Sequence, residues 1–228
     1  MIYTTLLNIA IFEGIILGLV ILKSSLFNSN SNKYLAYLLF ALSFVLLNYV
    51  FEIEGTFITY PFLRFIDDIE WVFLLPVFMF LFIINRIDDI VKNRQKHYLY
   101  YIPFAYSSIV SITYDLSNVA ELYKIPDSSI FLLNILRLIQ LLFAVILIPF
   151  LPLYSYFMIR HLKDSQEKKW VIILLTIIYL LLFVWLTTYM TGVFWGLDIS
   201  STMSVLALCA TFVMHWTAYI GIYKYKLA

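Results

Sequence analysis

Charge is scarce in this chain of 228 residues: Asp, Glu, Lys and Arg make up 13% of it, against 63% hydrophobic residues. Soluble domains usually carry about 25% charged and 45–50% apolar residues, so the balance excludes an ordinary soluble domain. Cysteine is nearly absent. Cys209 stands alone, which excludes an intrachain disulfide and a cysteine-rich metal site, and it reads as a small apolar filler. Glycine and proline number six each, and they form neither a glycine-rich phosphate loop nor a linker dividing the chain. The sequence also lacks an H-E-x-x-H zinc helix, a G-x-S-x-G elbow and a Cys–His pair for acyl transfer. No lysine lies inside the last apolar segment to carry a retinal Schiff base, since Lys224 falls at its end. No internal repeat is present, and no polar stretch is long enough to hide a soluble domain. These absences argue against an enzyme, a cofactor and a metal.

What is present is a series of long apolar runs. A bilayer core of roughly 30 Å needs about 20 helical residues to cross it. Seven segments qualify: 2–22, 34–52, 67–85, 98–115, 129–159, 170–192 and 200–223. In lipid the backbone must satisfy its own hydrogen bonds, so runs of this length predict helices rather than strands. The expected fold is therefore all-α, a single seven-helix transmembrane bundle over residues 1–228. The fourth segment is the shortest and is rich in Tyr and Ser, and Pro149 and Pro152 predict a kink at the inner end of the fifth. Met1 to Thr5 holds no Lys or Arg and no small-residue cleavage site follows, so the first run reads as a retained helix rather than a signal peptide.

The short loops set the orientation. Lys23, Lys33, Arg86, Lys92, Arg94, Lys96, Arg160, Lys163, Lys168, Lys169, Lys224 and Lys226 fall on one side, twelve of the fifteen cations. The opposite loops hold only Arg64 and Lys124, with Glu52, Glu54, Asp67, Asp68, Glu70, Asp115, Glu121, Asp127 and Asp198. The positive-inside rule then predicts an N-terminus outside and a cytoplasmic C-terminus.

Glu13 stands near the middle of the first segment, where a carboxylate is expensive and usually pairs inside the bundle. Arg137 enters the fifth segment at comparable depth, so a Glu13–Arg137 pair is expected, with Asn134 and Gln140 as polar support. Two alternatives stay open: Arg137 snorkels to the outer headgroups, or Glu13 is protonated. Gly14 and Gly18 form a G-x-x-x-G that admits a close helix neighbour, inside the monomer by default and in a homodimer as the second reading. Glu52, Glu54, Asp67, Glu70 and Trp71 are outer-face ligand candidates for a cationic or polyhydroxylated molecule. The competing reading makes Asp67 and Asp68 helix N-caps, and Trp71 and Trp195 part of an aromatic belt. His215 has no second ligand at helical spacing and reads as a packing or hydrogen-bonding residue. His97 and His161 read as solvated boundary residues.

The order of segments, with FEGIILGLVILKSS (12–25), NKYLAYLLFALSFVLLNY (32–49), LLPVFMFLF (74–82), HYLYYIPF (97–104), KKW (168–170) and WTAYIGIYKYKLA (216–228), resembles the N-terminal membrane sensory domain of bacterial AraC-type regulators or sensor histidine kinases. That resemblance implies a multi-pass protein of the bacterial inner membrane. Its function would be signal input, passed through the last helix to a cytoplasmic output module, either a helix-turn-helix pair or a kinase core. No such module lies within these residues, so it is expected as a continuation of the chain or as a separate partner, and the segment itself is not expected to bind nucleic acid. The alternative function is a small transporter or permease component, although the inverted repeats that such folds often carry are not evident.

Overall fold

Apolar runs dense in Leu, Ile and Phe dictate the architecture, because each can satisfy its backbone only by coiling. The computed structural model describes residues 2–24, 29–87, 97–118, 127–160 and 165–219. Among them there is no strand, and seven longer helices carry the fold: α1 (Ile2–Lys23), α2 (Asn30–Ile53), α3 (Leu74–Ile87), α4 (Ile102–Asn118), α5 (Asp127–Ile159), α6 (Ser165–Trp195) and α7 (Ser200–Tyr219). Four stretches, Ile2–Lys23, Asn30–Ile53, Phe131–Ile159 and Lys168–Trp195, are long and apolar enough to cross a membrane. α5 runs as one helix through Pro149 and Pro152.

The third predicted segment differs. Its helix begins at Leu74, not at residue 67, and its 14 residues rise only about 21 Å. Before it the chain steps through short turns at Thr56–Thr59, Pro61–Leu63, Arg64–Asp67 and Trp71–Phe73. Gly55, at φ 66°, turns the chain out of α2, in a left-handed conformation that glycine adopts without strain. Asp67, Asp68 and Glu70 then crowd four positions, and a regular helix would have to desolvate all three together. Pro76 sits in the first turn of α3, where its missing N–H is not needed. The expectation that Asp67 and Asp68 cap a helix N-terminus is corrected: Asp67 closes the short helix Arg64–Asp67, and Asp68 follows it as the C-cap.

Helix neighbours close into a ring, α1–α2–α3–α5–α6–α7 and back to α1, with α4 outside against α5. α1 and α2 run antiparallel: Gly14 meets Ser43, and Gly18 meets Phe40. α1 and α7 run parallel: Tyr3 donates to the Ser204 carbonyl at 3.0 Å, and Gly14 meets Met214 further along. The core lies inside this ring, around Leu7, Ala10, Leu35, Leu39, Phe82, Ile83 and Leu174. The outside is apolar too. Phe131 on α5 is 74% exposed and Phe12 on α1 67%, a surface suited to hydrocarbon rather than water.

Charge separates along the bundle. At one end Arg86 donates to Asn32 at 3.2 Å and Lys168 to the Arg160 carbonyl at 3.3 Å. At the other, Arg64 pairs with Asp115 at 2.9 Å, close to Asp67 and Asp68.

Candidate functional site

The ring does not close completely on itself. Between α2, α6 and α7 it leaves a cavity of about 730 Å³, and the connection from Asp67 to Val72 forms part of its wall. That volume is in the range of small-molecule sites. Most of the wall is apolar, with Leu38, Leu42 and Leu46 from α2, Ile178, Leu182 and Trp185 from α6, and Leu206, Ala210 and Met214 from α7. Apart from Thr217 at the far end of α7, the polar lining residues gather at the acidic end: Asn48, Tyr49, Glu52, Asp67, Glu70, Tyr189, Asp198 and Ser200.

Local chemistry positions this mouth. Asp198 accepts the Ser200 backbone N–H at 2.9 Å, an Asx turn that starts α7. The same bond holds the Asp198 carboxyl below its ordinary range. Tyr49 shares a 2.7 Å hydrogen bond with the Ser204 hydroxyl, tying α2 to α7 beside the opening. Asn48 donates to the Ile66 carbonyl at 3.2 Å, and its Oδ1 is buried with no hydrogen-bond partner. Trp71 donates to the same carbonyl at 3.2 Å and stacks on Phe44 with ring centroids 4.4 Å apart. Trp185 stacks on Tyr189 at 5.5 Å.

Glu70 is the most tightly held of the acids. Its Oε1 accepts from Ser111 at 2.9 Å and from Gln140 at 2.8 Å, while its backbone N–H donates to Ser108 at 3.1 Å. The connection is thereby locked to both α4 and α5. Asp68 beside it is 7% exposed, and its Oδ2 has no partner. Burial, with Asp115 and Asp67 nearby, pushes this carboxyl up to about 7. A neutral acid there avoids an uncompensated buried charge.

The structure re-sorts the expected residues. Glu52, Asp67, Glu70 and Trp71 all line the cavity, whereas Glu54 ends α2 outside it. Glu13 contacts His215 Nδ1 through Oε2, not Arg137. Arg137 is exposed, with its guanidinium carbon 3.8 Å over the Tyr114 ring. Gln140 serves Glu70 instead of Arg137, and Asn134 is exposed. The filler reading of Cys209 is corrected, because the thiol is exposed on α7. His161 lies outside the described residues. No group of acids, histidines and cysteine able to hold a metal occurs among the described residues. Asn48, Tyr49 and Tyr189 escaped sequence reasoning; for the first two, the polar cluster Asn48, Tyr49 and Glu52 at the end of α2 was the available signal, and Tyr189 on α6 had none.

The Glu13–His215 contact joins α1 to α7, and both side chains are partly exposed. A double-mutant cycle with Glu13→Leu and His215→Phe is expected to give a favourable coupling of about 0.6 kcal/mol, typical of polar pairs between membrane helices. Unfolding in detergent measures it, and strictly additive losses would dissolve the pair.

No family model, no curated protein and no solved structure matches this chain.

Proposed function

We propose that the chain is a membrane-embedded signal-input module of seven spans, with its N-terminus outside and its C-terminus in the cytoplasm of a bacterial inner membrane. In this reading the cavity receives the stimulus, and α7 passes the change to a cytoplasmic output module.

The observation that carries the reading is the seat of α7. One side of this helix packs on α1 and α6, Val205, Cys209 and Phe212 face outward, and a further face borders the cavity that separates it from much of α2. An occupant that prefers one position of α7 biases the helix by its differential affinity for the two states. The four long apolar helices support a membrane location, and the gathering of Lys23, Lys33, Arg86, Arg160, Lys168 and Lys169 toward one end supports the cytoplasmic assignment of that end.

A cavity-filling substitution tests this without a known stimulus. Ala210→Phe enlarges a wall residue on α7, and a spin label on the native Cys209 reports the helix position against a second label at Glu54→Cys, outside the cavity. In lipid nanodiscs the filled variant is expected to shift the inter-label distance by about 1–2 Å, the scale of helix shifts in switching proteins. An unchanged distance in a correctly folded variant would remove α7 as the transmitter. Solute accumulation in sealed vesicles containing the protein would favour the permease reading instead.

A further inference from the structure

We propose that the cavity is a binding site for a single-chain amphiphile with a cationic nitrogen head, the head seated at the acidic mouth and the chain laid between α2 and α7. This names the stimulus class for the signal-input reading and rests on that reading only for its consequence, not for binding itself.

Shape is the first argument. The α2 wall of the cavity extends from Leu38 to Ile53, about 22 Å of helix. Most polar groups line one end of this slot, and apart from Thr217 at the far end the rest is mainly aliphatic. A compact polar metabolite would leave the apolar length unfilled, whereas an alkyl chain buries against it at roughly 0.8 kcal/mol per methylene.

Charge is the second. Glu52, Asp67, Glu70 and Asp198 line the cavity, and among the described residues no Lys or Arg does. Burial pushes Asp67 up to about 6 and Glu70 up to about 7, so the cation is assigned to Glu52 and Asp198. The nearest guanidinium on the connection, Arg64, is bound to Asp115. The unpartnered Oδ1 of Asn48 adds the negative end of a buried dipole. The Glu52 and Asp198 carboxyls disfavour an anionic head there.

Aromatic faces are the third. Trp71, Trp185 and Tyr189 line the cavity, and each ring is held by stacking or a hydrogen bond. Aromatic rings attract cations through their faces and are a recurrent means of holding alkylammonium groups. The same mouth thus offers carboxylates for the charge and rings for the methyl or methylene groups around it.

Equilibrium binding of dodecyltrimethylammonium to the full chain in lipid nanodiscs, with empty nanodiscs subtracted, tests the assignment. Dodecanoate supplies the same chain length with the opposite charge, and tetramethylammonium supplies the head alone. The expected result is saturable binding of the cationic amphiphile, at least tenfold tighter than either control. Glu52→Gln with Asp198→Asn should weaken it about tenfold, and Ala207→Phe, which narrows the slot, should weaken it by a similar factor. Equal binding of dodecanoate, or uptake that never saturates, would overturn the proposal by reducing the cavity to a lipid-filled gap. Saturable binding with no displacement of the Cys209 label would keep the ligand assignment and remove the signalling role. A label displaced by Ala210→Phe without amphiphile binding would do the reverse.

Discussion

Gly18→Leu is expected to lower stability by about 3 kcal/mol or more. A Cβ built at Gly18 would already stand 2.6 Å from Cε1 and 2.8 Å from Cζ of Phe40 on α2. Leucine adds three further carbons toward the same ring, and overpacking of a close seam typically costs about 1–3 kcal/mol for far smaller insertions. Gly14→Leu strikes two helices at once, because its side chain would enter Ser43 of α2 and Met214 of α7. Gly18→Ala should be milder, since the far edge of the Phe40 ring can turn aside. Phe40→Leu in the Gly18→Leu background should return part of the loss. Reversible unfolding in mixed micelles reads the stability, and light scattering reads the mass of the complex. Loss of stability at constant mass supports a seam within one chain; a change of mass at unchanged stability would assign the glycines to a homodimer.

Glu70→Leu is expected to cost about 3 kcal/mol, by leaving Gln140 and Ser111 without the acceptor they share. A buried donor left unsatisfied costs about 1–3 kcal/mol, whereas removing both partners together is much less damaging. Glu70→Gln keeps an acceptor oxygen and should lose less than a third as much. The double variant Glu70→Leu with Gln140→Leu should be more stable than Glu70→Leu alone. The same unfolding assay separates these cases. If the leucine and glutamine variants were equally stable, the hydrogen bonds from Gln140 and Ser111 would have no part in holding the connection.

Much of the helical framework was legible because hydropathy is a one-dimensional property. The apolar runs from Ile2 and Asn30, and those leading to Ile159 and Trp195, became long helices close to their expected bounds. The start of α3 was misplaced because an acid-rich stretch and the apolar run after it read as one segment, although carboxylates at 67, 68 and 70 resist burial as a regular helix. Pairing was legible only in part. Depth along a helix follows from counting residues, and by depth Glu13 and Arg137 were plausible partners. Which way each side chain faces around the axis depends on the packing of all the helices, and that packing gave Glu13 to His215 and Arg137 to Tyr114. The Glu70 network joins residues 41 and 70 positions apart, a separation that leaves no local pattern. The cavity itself belongs to no residue; it is what remains where α7 fails to fill the space against α2.

The parallel pairing of α1 with α7 also bears on how the protein is handled. Tyr3 reaches Ser204, the residue that Tyr49 grips at the edge of the opening. An affinity tag or fluorescent protein joined ahead of Ile2 would therefore hang beside the acidic end of the cavity, where it would compete for space with the amphiphile proposed above. Binding data gathered with such a fusion would report the obstruction, and cleaving the tag would appear as activation.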